Sequence, residues 1–487
     1  MLSCPDASAW RLYDDYSRTR AYWKYAYISS GIAIGHERRS HGPLFSKLNR
    51  WSRSANEKTS PNATLAAKAA GSRGRRSGGR WTLQRVIYTG LLMALDSAES
   101  LRDRFEHART ALIEMCPGRR RPGSSYQGFV KAQKRLPREL PEQIQSLLRP
   151  VHQQIAGRHW LVVGWLAFAV DGSRIETPRS AANEKALGRA GRDKTGPQLA
   201  ITTLYHLGTG LPWAWKIGPG TDAERVQLMA LLATLPLRSL LIADAGFTGY
   251  GLLQSILAGG HSFLIRVGSN VTLITGLLKN GDDEPAMRRD GRIVWLWPTA
   301  RRDQPPLKLR LILIRKPAGE TADVYLLTNV LEETRLSDET AGSLYAMRWG
   351  IEVLYRGYKR TLDHHKLRSD APAQALWEAH WAMLALLLIG LLSLPGLIEA
   401  GATPRNWSLA SGLRMIRNAL RSSRRWRRRA DLRVLLATAR QDNYTRRAPK
   451  KARDWPHKKN EPPPGIPKIR AATTKEEHDA ARLCAAA

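Results

Sequence analysis

The chain has 487 residues, of which 43% are hydrophobic, so it is long enough for roughly two to four domains with a sizeable core. Its 77 basic residues outnumber its 42 acidic ones, which gives a net charge of +35. This excess favours a polyanionic partner, usually nucleic acid, with a membrane surface as the rival. Three scattered cysteines, Cys4, Cys116 and Cys484, argue against a zinc finger or a disulfide framework and favour a reducing cytoplasmic compartment.

The N-terminal third divides into two segments. Residues 1–80 receive no structural assignment: they show no apolar core of a signal peptide, and their second half is a basic, Gly/Ser-rich stretch typical of a linker. Residues 81–150 are predicted to be helical, with one or two helices before Cys116 and a short helix in YQGFVKAQKRL. A DNA-contacting helical module and a plain helical bundle with a basic surface remain equally open for this region.

Residues 151–268 change to an α/β pattern. Two continuous apolar runs predict buried strands, the first ending at Asp171 and the second at Asp244. Between them, two strand-like runs around Leu207–Gly210 predict a hairpin, and Thr221–Glu224 matches a capping box that opens a helix. Binding crevices of α/β sheets lie at the carboxyl ends of strands, so the two aspartates are expected to come together. Each alone is also a common turn former.

Residues 269–335 alternate apolar and polar positions between Gly and Pro residues, which predicts a β-rich insertion. Trp295 and Trp297 lie on the same face of one strand. Two tryptophans in this arrangement either stack on nucleic-acid bases or, as is more common, belong to a buried apolar face, and both interpretations are open.

Residues 337–362 predict one amphipathic helix that begins at the N-cap Ser337. Tyr345, Arg348, Glu352 and Lys359 fall within a sector of about 60° on its helical wheel, beside the apolar face. The ordinary interpretation is an exposed face with mixed charges. The functional one makes Glu352 a metal ligand, while the other three grip phosphates.

Residues 336–400 end in an uncharged stretch, Trp381–Ile398, that just reaches the length of a membrane span. We interpret it as a buried core helix, because a single span is out of place in so basic a chain. Residues 401–487 form a basic region, expected to be partly disordered and to contact phosphates without base specificity.

Asp171, Asp244 and Glu352 are hard oxygen donors, which suit Mg²⁺ or Mn²⁺ better than zinc. Two such ions can activate a nucleophile and stabilise the leaving oxygen of a phosphodiester without ATP, and no GxxxxGK[ST] loop is present. Competing acids are Glu176, Asp222 and Glu224, the last two being accounted for by the capping box. His364 and His365, without further ligands, are a weak metal signal.

Three motifs together resemble the transposases of the bacterial insertion-sequence-four family. Tyr345, Arg348, Glu352 and Lys359 have the spacing of its YREK signature, Asp171-Gly172-Ser173 resembles its first catalytic aspartate, and Asp244-Ala245-Gly246-Phe247 its second. Ala245 stands where many members carry a basic residue. The resemblance covers roughly residues 81–392 and excludes the first eighty residues and most of the tail.

The resemblance implies a ribonuclease-H-like α/β core with a β-rich insertion, preceded by helices that read terminal repeats and followed by a basic tail. It implies a DDE triad of Asp171, Asp244 and Glu352 holding two Mg²⁺ ions, with Tyr345, Arg348 and Lys359 on the DNA phosphates. The expected activity is cleavage at terminal inverted repeats, often through a hairpin, and joining of the 3′ ends to target DNA by a synaptic homodimer in the bacterial cytoplasm. The alternatives are a non-catalytic DNA-binding derivative and a basic membrane-associated protein.

Overall fold

The computed structural model describes residues 79–115, 121–190, 196–278, 293–315, 323–421, 432–441 and 464–485. The extension at residues 1–80, Cys4 and Cys116 therefore lie outside the described residues, except for residues 79 and 80. Within the described residues, the part of the chain before the sheet is helical, as predicted. Its helices are α1 (Leu83–Leu95), α2 (Leu101–Met115), α3 (Tyr126–Gln133) and α4 (Leu140–Ala156).

Helix α4 was not anticipated from the sequence, because Pro141 and Pro150 both lie within it. Pro141 occupies the first turn, where a missing backbone N–H costs nothing. Leu140, Ile144 and Leu148 repeat at intervals of four and are buried, so packing of this apolar face outweighs the second proline.

The central sheet is built on a hairpin and two parallel strands. Strand β3 pairs antiparallel with both β1 and β4, which confirms the hairpin, while β5 pairs parallel with β1 and β6 pairs parallel with β5. This order, β4–β3–β1–β5–β6, fits the ribonuclease-H-like core implied by the resemblance. The elements are β1 (Ala167–Glu176), α5 (Ala181–Leu187), β2 (Arg189–Ala190), β3 (Gly196–His206), β4 (Leu211–Pro219), α6 (Glu224–Leu232), β5 (Leu240–Ala243), α7 (Tyr250–Ala258) and β6 (Ser262–Val267).

The β-rich insertion continues the central sheet instead of forming a separate one. Its last strand pairs antiparallel with β6, so backbone hydrogen bonds run from the core into the insertion. A strand of the C-terminal region then pairs with the first insertion strand at the far edge, which the basic composition of that region did not predict. The strands are β7 (Thr272–Thr275), β8 (Ile293–Leu296), β9 (Leu307–Ile314), β10 (Val324–Thr328) and β11 (Lys468–Ala471).

The helix predicted at 337–362 is present but is not one regular α-helix. Ser337 caps it by accepting a hydrogen bond from the Thr340 backbone N–H at 3.1 Å. It consists of α8 (Asp338–Met347), a turn at Arg348, α9 (Trp349–Arg356) and a π-helical turn, Gly357–Thr361. We call residues 338–361 the signature helix.

The long apolar stretch lies in helix α10 (Pro372–Glu399), which is the one helix of the described residues long and apolar enough to cross a membrane. Because 78% of its most apolar window is buried inside the protein, the prediction of a core helix is confirmed. Helices α1, α4, α9 and α10 contribute to one hydrophobic core with β1, β3 and β4. The remaining helices are α11 (Leu409–Arg421), α12 (Leu432–Leu436) and α13 (Thr474–Ala485).

Candidate active site

Asp171 and Asp244 lie where the parallel pairing of β1 with β5 ends: Asp244 directly follows β5, whereas Asp171 lies within β1. The predicted strand end at Asp171 is wrong, because antiparallel pairing with β3 continues β1 to Glu176. Val170 of β1 is in register with Ala243 of β5, and Asp171 and Asp244 are the next residues along. Parallel neighbours lie about 4.8 Å apart, so the two carboxylates share one edge of the sheet. Each accepts a hydrogen bond at 2.8 Å from the backbone N–H of the following residue.

Helix α9 brings Glu352 to this edge. Its residue Ile351 is fully buried in the core, and Tyr355 donates a hydrogen bond to the Asp171 backbone oxygen at 2.9 Å. Because these contacts hold α9 against β1, Glu352, which lies between them in the sequence, remains beside the aspartates. Tyr355 was not singled out from the sequence, although it lies three residues after Glu352.

Arg348 connects the carboxylates. Its Nη2 atom lies 3.2 Å from Glu352 Oε1 and 3.8 Å from Asp244 Oδ2, and its side chain is only 11% exposed. Tyr345 donates a hydrogen bond to Asp244 Oδ1 at 3.2 Å, and the guanidinium of Arg348 lies over the Tyr345 ring at 5.5 Å. The polar stripe is therefore a network that includes Asp244, and not an isolated exposed face of the helix.

Lys359 approaches from the π-helical turn at the other end of the helix. Burial lowers the pKa of its ammonium group, while the charges of Glu176 and Asp171 oppose this shift. The negative charge of Asp171 therefore acts on the ammonium group of Lys359. The structure brings together five of the residues predicted for the site, Asp171, Asp244, Tyr345, Arg348 and Glu352. Lys359 is related to them through the effect of the Asp171 charge on its pKa.

Glu224 is a residue of this site that the sequence argument set aside. The expected capping box is wrong: the N-cap of α6 is Ala223, and no side chain caps the helix. Glu224 instead pairs with Arg174 at 3.5 Å, and its carboxylate packs over Gly172, next to Asp171. In the sequence, the feature that could have indicated this role is the position of Glu224 in the first turn of a helix between the strands of Asp171 and Asp244.

Burial perturbs two of the carboxylates. Asp171 has its pKa raised to about 6 by burial, against a hydrogen bond from Gly172 that lowers it. Burial also raises the pKa of Glu352, and the neighbouring Arg348 lowers it. Both groups therefore carry negative charge at a cost that a bound cation would relieve.

The carboxylate oxygens of Asp171, Asp244 and Glu352 are of the type that a hard divalent ion prefers, and the Asp171 carboxylate has no cationic hydrogen-bond partner. The arrangement is not closed, however. Within the described ranges, no three His, Cys, Asp or Glu side chains are close enough to hold an ion. The contacts explain why: the guanidinium of Arg348 lies between Asp244 and Glu352.

The weaker candidates have other roles. His364 is buried, its Nε2 atom lies 3.3 Å from the Ala94 oxygen, and burial lowers its pKa to about 3. His365 is exposed and pairs with Asp363 at 3.4 Å. Trp295 and Trp297 are both buried in a second hydrophobic core, to which strands β7, β8 and β9 contribute. This burial confirms the apolar-face interpretation.

Comparison with known families places these residues in a defined class. Residues 166–388 match the Transposase DDE domain, a range that contains all six site residues. The chain is also 26% identical over 320 residues to the Escherichia coli (strain K12) transposase InsG for insertion sequence element IS4, covering 64% of this chain and 69% of that one. Both matches confirm the resemblance of the motifs to the DDE transposases of the insertion-sequence-four family.

Two solved transposase complexes show weaker structural likeness. A piggyBac transposase synaptic complex with hairpin DNA aligns with a TM-score of 0.37 and 13% identity, over 82% of this chain and 83% of that one. A Mos1 transposase paired-end complex with the left transposon end aligns with a TM-score of 0.15 and 9% identity, over 50% and 66%. TM-scores this low do not establish a common fold.

Proposed function

We propose that this protein cuts DNA at the terminal inverted repeats of an insertion sequence and joins the freed 3′ ends to target DNA. The supporting observation is the placement of Asp171 and Asp244 directly after the last paired residues of two adjacent parallel strands, with Glu352 linked to Asp244 through Arg348. These three carboxylates would hold two Mg²⁺ ions, with Mn²⁺ as a substitute. The ions would supply charge neutralisation at the scissile phosphate and a more acidic attacking oxygen.

The side chains around the carboxylates have the chemistry to position the DNA strand. Arg348 offers a planar fork for two phosphate oxygens, Lys359 a point charge and Tyr345 a hydroxyl donor. Tyr345 keeps its proton, since burial and Asp244 raise its pKa to about 12. Arg348 already bonds Glu352, so its contact with a phosphate competes with that ion pair.

The partners follow from the same assignment. Terminal repeats and target DNA are the substrates, two copies of the chain form the synaptic complex, and the protein acts in the bacterial cytoplasm without a membrane. We assign repeat recognition to the helices of residues 81–150, catalysis to residues 151–268 and 336–400, and auxiliary roles to the insertion at 269–335 and the basic region at 401–487.

The decisive experiment measures nicking of a duplex that carries the element's own terminal repeat. The variants Asp171→Asn and Glu352→Gln each remove one ligand charge while keeping the side-chain shape. We expect each to lose Mg²⁺-dependent cleavage by on the order of a thousandfold, with repeat binding largely kept. Normal cleavage by either variant contradicts the role of that residue.

The same assay separates the main alternative. A non-catalytic DNA-binding derivative would bind the repeat but leave the wild-type substrate intact in Mg²⁺ and in Mn²⁺. Glu339→Ala, an exposed change on the first turn of α8, is a suitable control because it removes an acid from the same helix away from the cluster. We expect this control to cleave at the wild-type rate.

A second test addresses the phosphate contacts. Arg348→Ala is expected to reduce cleavage at the repeat more than it reduces binding to DNA of arbitrary sequence, because Arg348 lies within the cluster and is nearly buried. Both quantities are measured at one salt concentration. Equal losses in the two assays would make Arg348 a general DNA-binding residue and not a site residue.

A further inference from the structure

An open groove of about 270 Å³ lies between the last turn of the signature helix and α11. Its lining consists of seven residues, Thr361, Ala410, Leu413, Arg414, Arg417, Asn418 and Arg421. We call it the arginine groove. Its lining holds three guanidinium groups and no carboxylate, so its chemistry is that of an anion site.

The amphipathic character of α11 turns the arginines toward the groove. Gly412 and Ile416 are buried against the protein, whereas Arg414 and Arg421 are exposed. The three arginines follow one another at intervals of three and four, so they form a single row on the helix surface. No ion pair within the described residues joins any of the three to an acid. Burial lowers the pKa of Arg417, and the charges of Asp96 and Asp363 oppose this shift without forming an ion pair with it.

Arg417 anchors the middle of the row. Its Nε atom donates a hydrogen bond to the oxygen of Leu95, the last residue of α1, at 2.7 Å. Its Nη2 atom is buried and has no hydrogen-bond partner. A buried donor without an acceptor costs free energy, and an anion in the groove would supply the acceptor.

The groove adjoins the helical turn that carries Lys359. Thr361 lies two residues after Lys359 in the same π-helical turn, and Gly357 of that turn packs so closely against Leu409 of α11 that a side chain there would collide with it. From Arg414 to Arg421 the row of arginines rises about 10 Å along α11, whereas a DNA strand presents one phosphate for each ~3.4 Å of its helix axis. The row is therefore about as long as a stretch of three phosphate intervals, so a strand that passes Lys359 can meet further cations along this length.

We propose that the arginine groove binds the phosphate backbone of the DNA strand that leaves the carboxylate cluster past Lys359. This proposal rests on the proposed function for the choice of DNA as the anion. Arg414 and Arg421 each neutralise one phosphate, and Arg417 holds the strand between them. Recognition is independent of base sequence, because the row contacts only the backbone.

The test uses the full-length chain and a fluorescent duplex of arbitrary sequence, titrated over a series of salt concentrations in EDTA. The double variant Arg414→Ala/Arg421→Ala removes exposed side chains only, so folding is preserved. We expect the slope of log affinity against log salt to become shallower by about 2, with affinity lower by on the order of tenfold. The charge-matched control Arg335→Ala/Arg482→Ala, which removes exposed arginines elsewhere, is expected to keep the wild-type slope.

The outcomes are distinct. An unchanged slope in the double variant overturns the proposal. Binding of polyglutamate is measured as a second probe: if the double variant keeps its affinity for DNA but loses its affinity for polyglutamate, the occupant is an acidic protein and the proposal is also overturned. Restoration of the slope by Arg414→Lys/Arg421→Lys supports it. Wild-type nicking in Mn²⁺ is measured in parallel. Nicking with an unchanged slope rejects only the groove, whereas a changed slope without any nicking rejects the cleavage function.

Discussion

Two carboxylate sites adjoin the signature helix and differ in how many hydrogen bonds their acidic side chains accept. Beyond the C-terminal end of that helix, Glu378 of α10 is only 9% exposed and accepts hydrogen bonds from the Arg368 and Ser369 backbone N–H groups at 3.1 Å and from the Ser369 hydroxyl at 2.7 Å. In the candidate active site, the Asp171 side chain is also largely buried but accepts a single hydrogen bond, from the backbone N–H of the adjacent Gly172.

The difference separates an acid whose hydrogen bonds serve the fold from one that we propose binds a metal ion. Glu378 ties the segment after the signature helix to α10. Its carboxylate is hydrogen-bonded within the protein and lies near the buried Arg104 of α2, so its charge stabilises contacts of the fold itself. Asp171 keeps unused acceptor capacity in a site that is costly to ionise. Unsatisfied buried charge persists where binding of a cation or substrate compensates for it.

The largest expected effect tests the structural side of this comparison. Glu378→Ala leaves several buried donors unsatisfied and removes a countercharge of Arg104, which should lower the free energy of unfolding by about 3 kcal/mol. Urea unfolding followed by circular dichroism measures the change. Glu339→Ala, an exposed acid, is the matched control and should change stability by less than about 0.5 kcal/mol. Similar losses in the two variants would remove the distinction.

A smaller effect of opposite sign is expected at the functional side. The folded pKa of Asp171 is about 6, above its ordinary value near 4, so the folded state favours the protonated acid. Its ionisation therefore destabilises the fold above about pH 6, and this penalty disappears as the pH falls toward 4. Asp171→Asn should raise stability near pH 7 by on the order of 1–2 kcal/mol, while abolishing cleavage.

Thermal melts across that pH range provide the measurement. The gain of Asp171→Asn over wild type should be greatest near pH 7 and absent near pH 4. A variant that is less stable than wild type at neutral pH would show that Asp171 is a structural acid like Glu378.

The smallest effect concerns Arg348, which lies between two acids of the functional site. Because its guanidinium already neutralises Asp244 and Glu352, Arg348→Ala should bind Mn²⁺ more tightly in the absence of DNA, by on the order of tenfold. Electron paramagnetic resonance of free Mn²⁺ measures the affinity. Arg335→Ala, whose ion pair is exposed, serves as the control. Weaker Mn²⁺ binding by the Arg348 variant would mean that Arg348 orders the carboxylates and does not compete with the ion.

Much of the fold was predictable because local patterns determine it. The strands that carry or precede Asp171 and Asp244, the hairpin between them and the apolar helix α10 all follow from runs of apolar residues bounded by turn formers. The continuation of β1 past Asp171 to Glu176 was missed, because it depends on pairing with β3. Helix α4 was missed because proline is a local signal against a helix, while the burial of Ile144 and Leu148 is a property of the assembled core.

The candidate site was predictable in part for a similar reason. The spacing of Tyr345, Arg348, Glu352 and Lys359 follows from helix geometry alone, and the structure places the first three together with the two aspartates. The participation of Glu224 was not predictable, since it depends on a contact with Arg174 across 50 residues of sequence.

The sequence by itself determined the apolar strands of the central sheet, the apolar helix α10, the excess of positive charge and the three candidate acids, because each is local or compositional. Only the tertiary structure decided which acids are satisfied, that the insertion strands extend the core sheet, and that the arginines of α11 adjoin the turn that carries Lys359. These properties depend on which distant segments pack together, and packing is set by the whole core and not by any one stretch of residues.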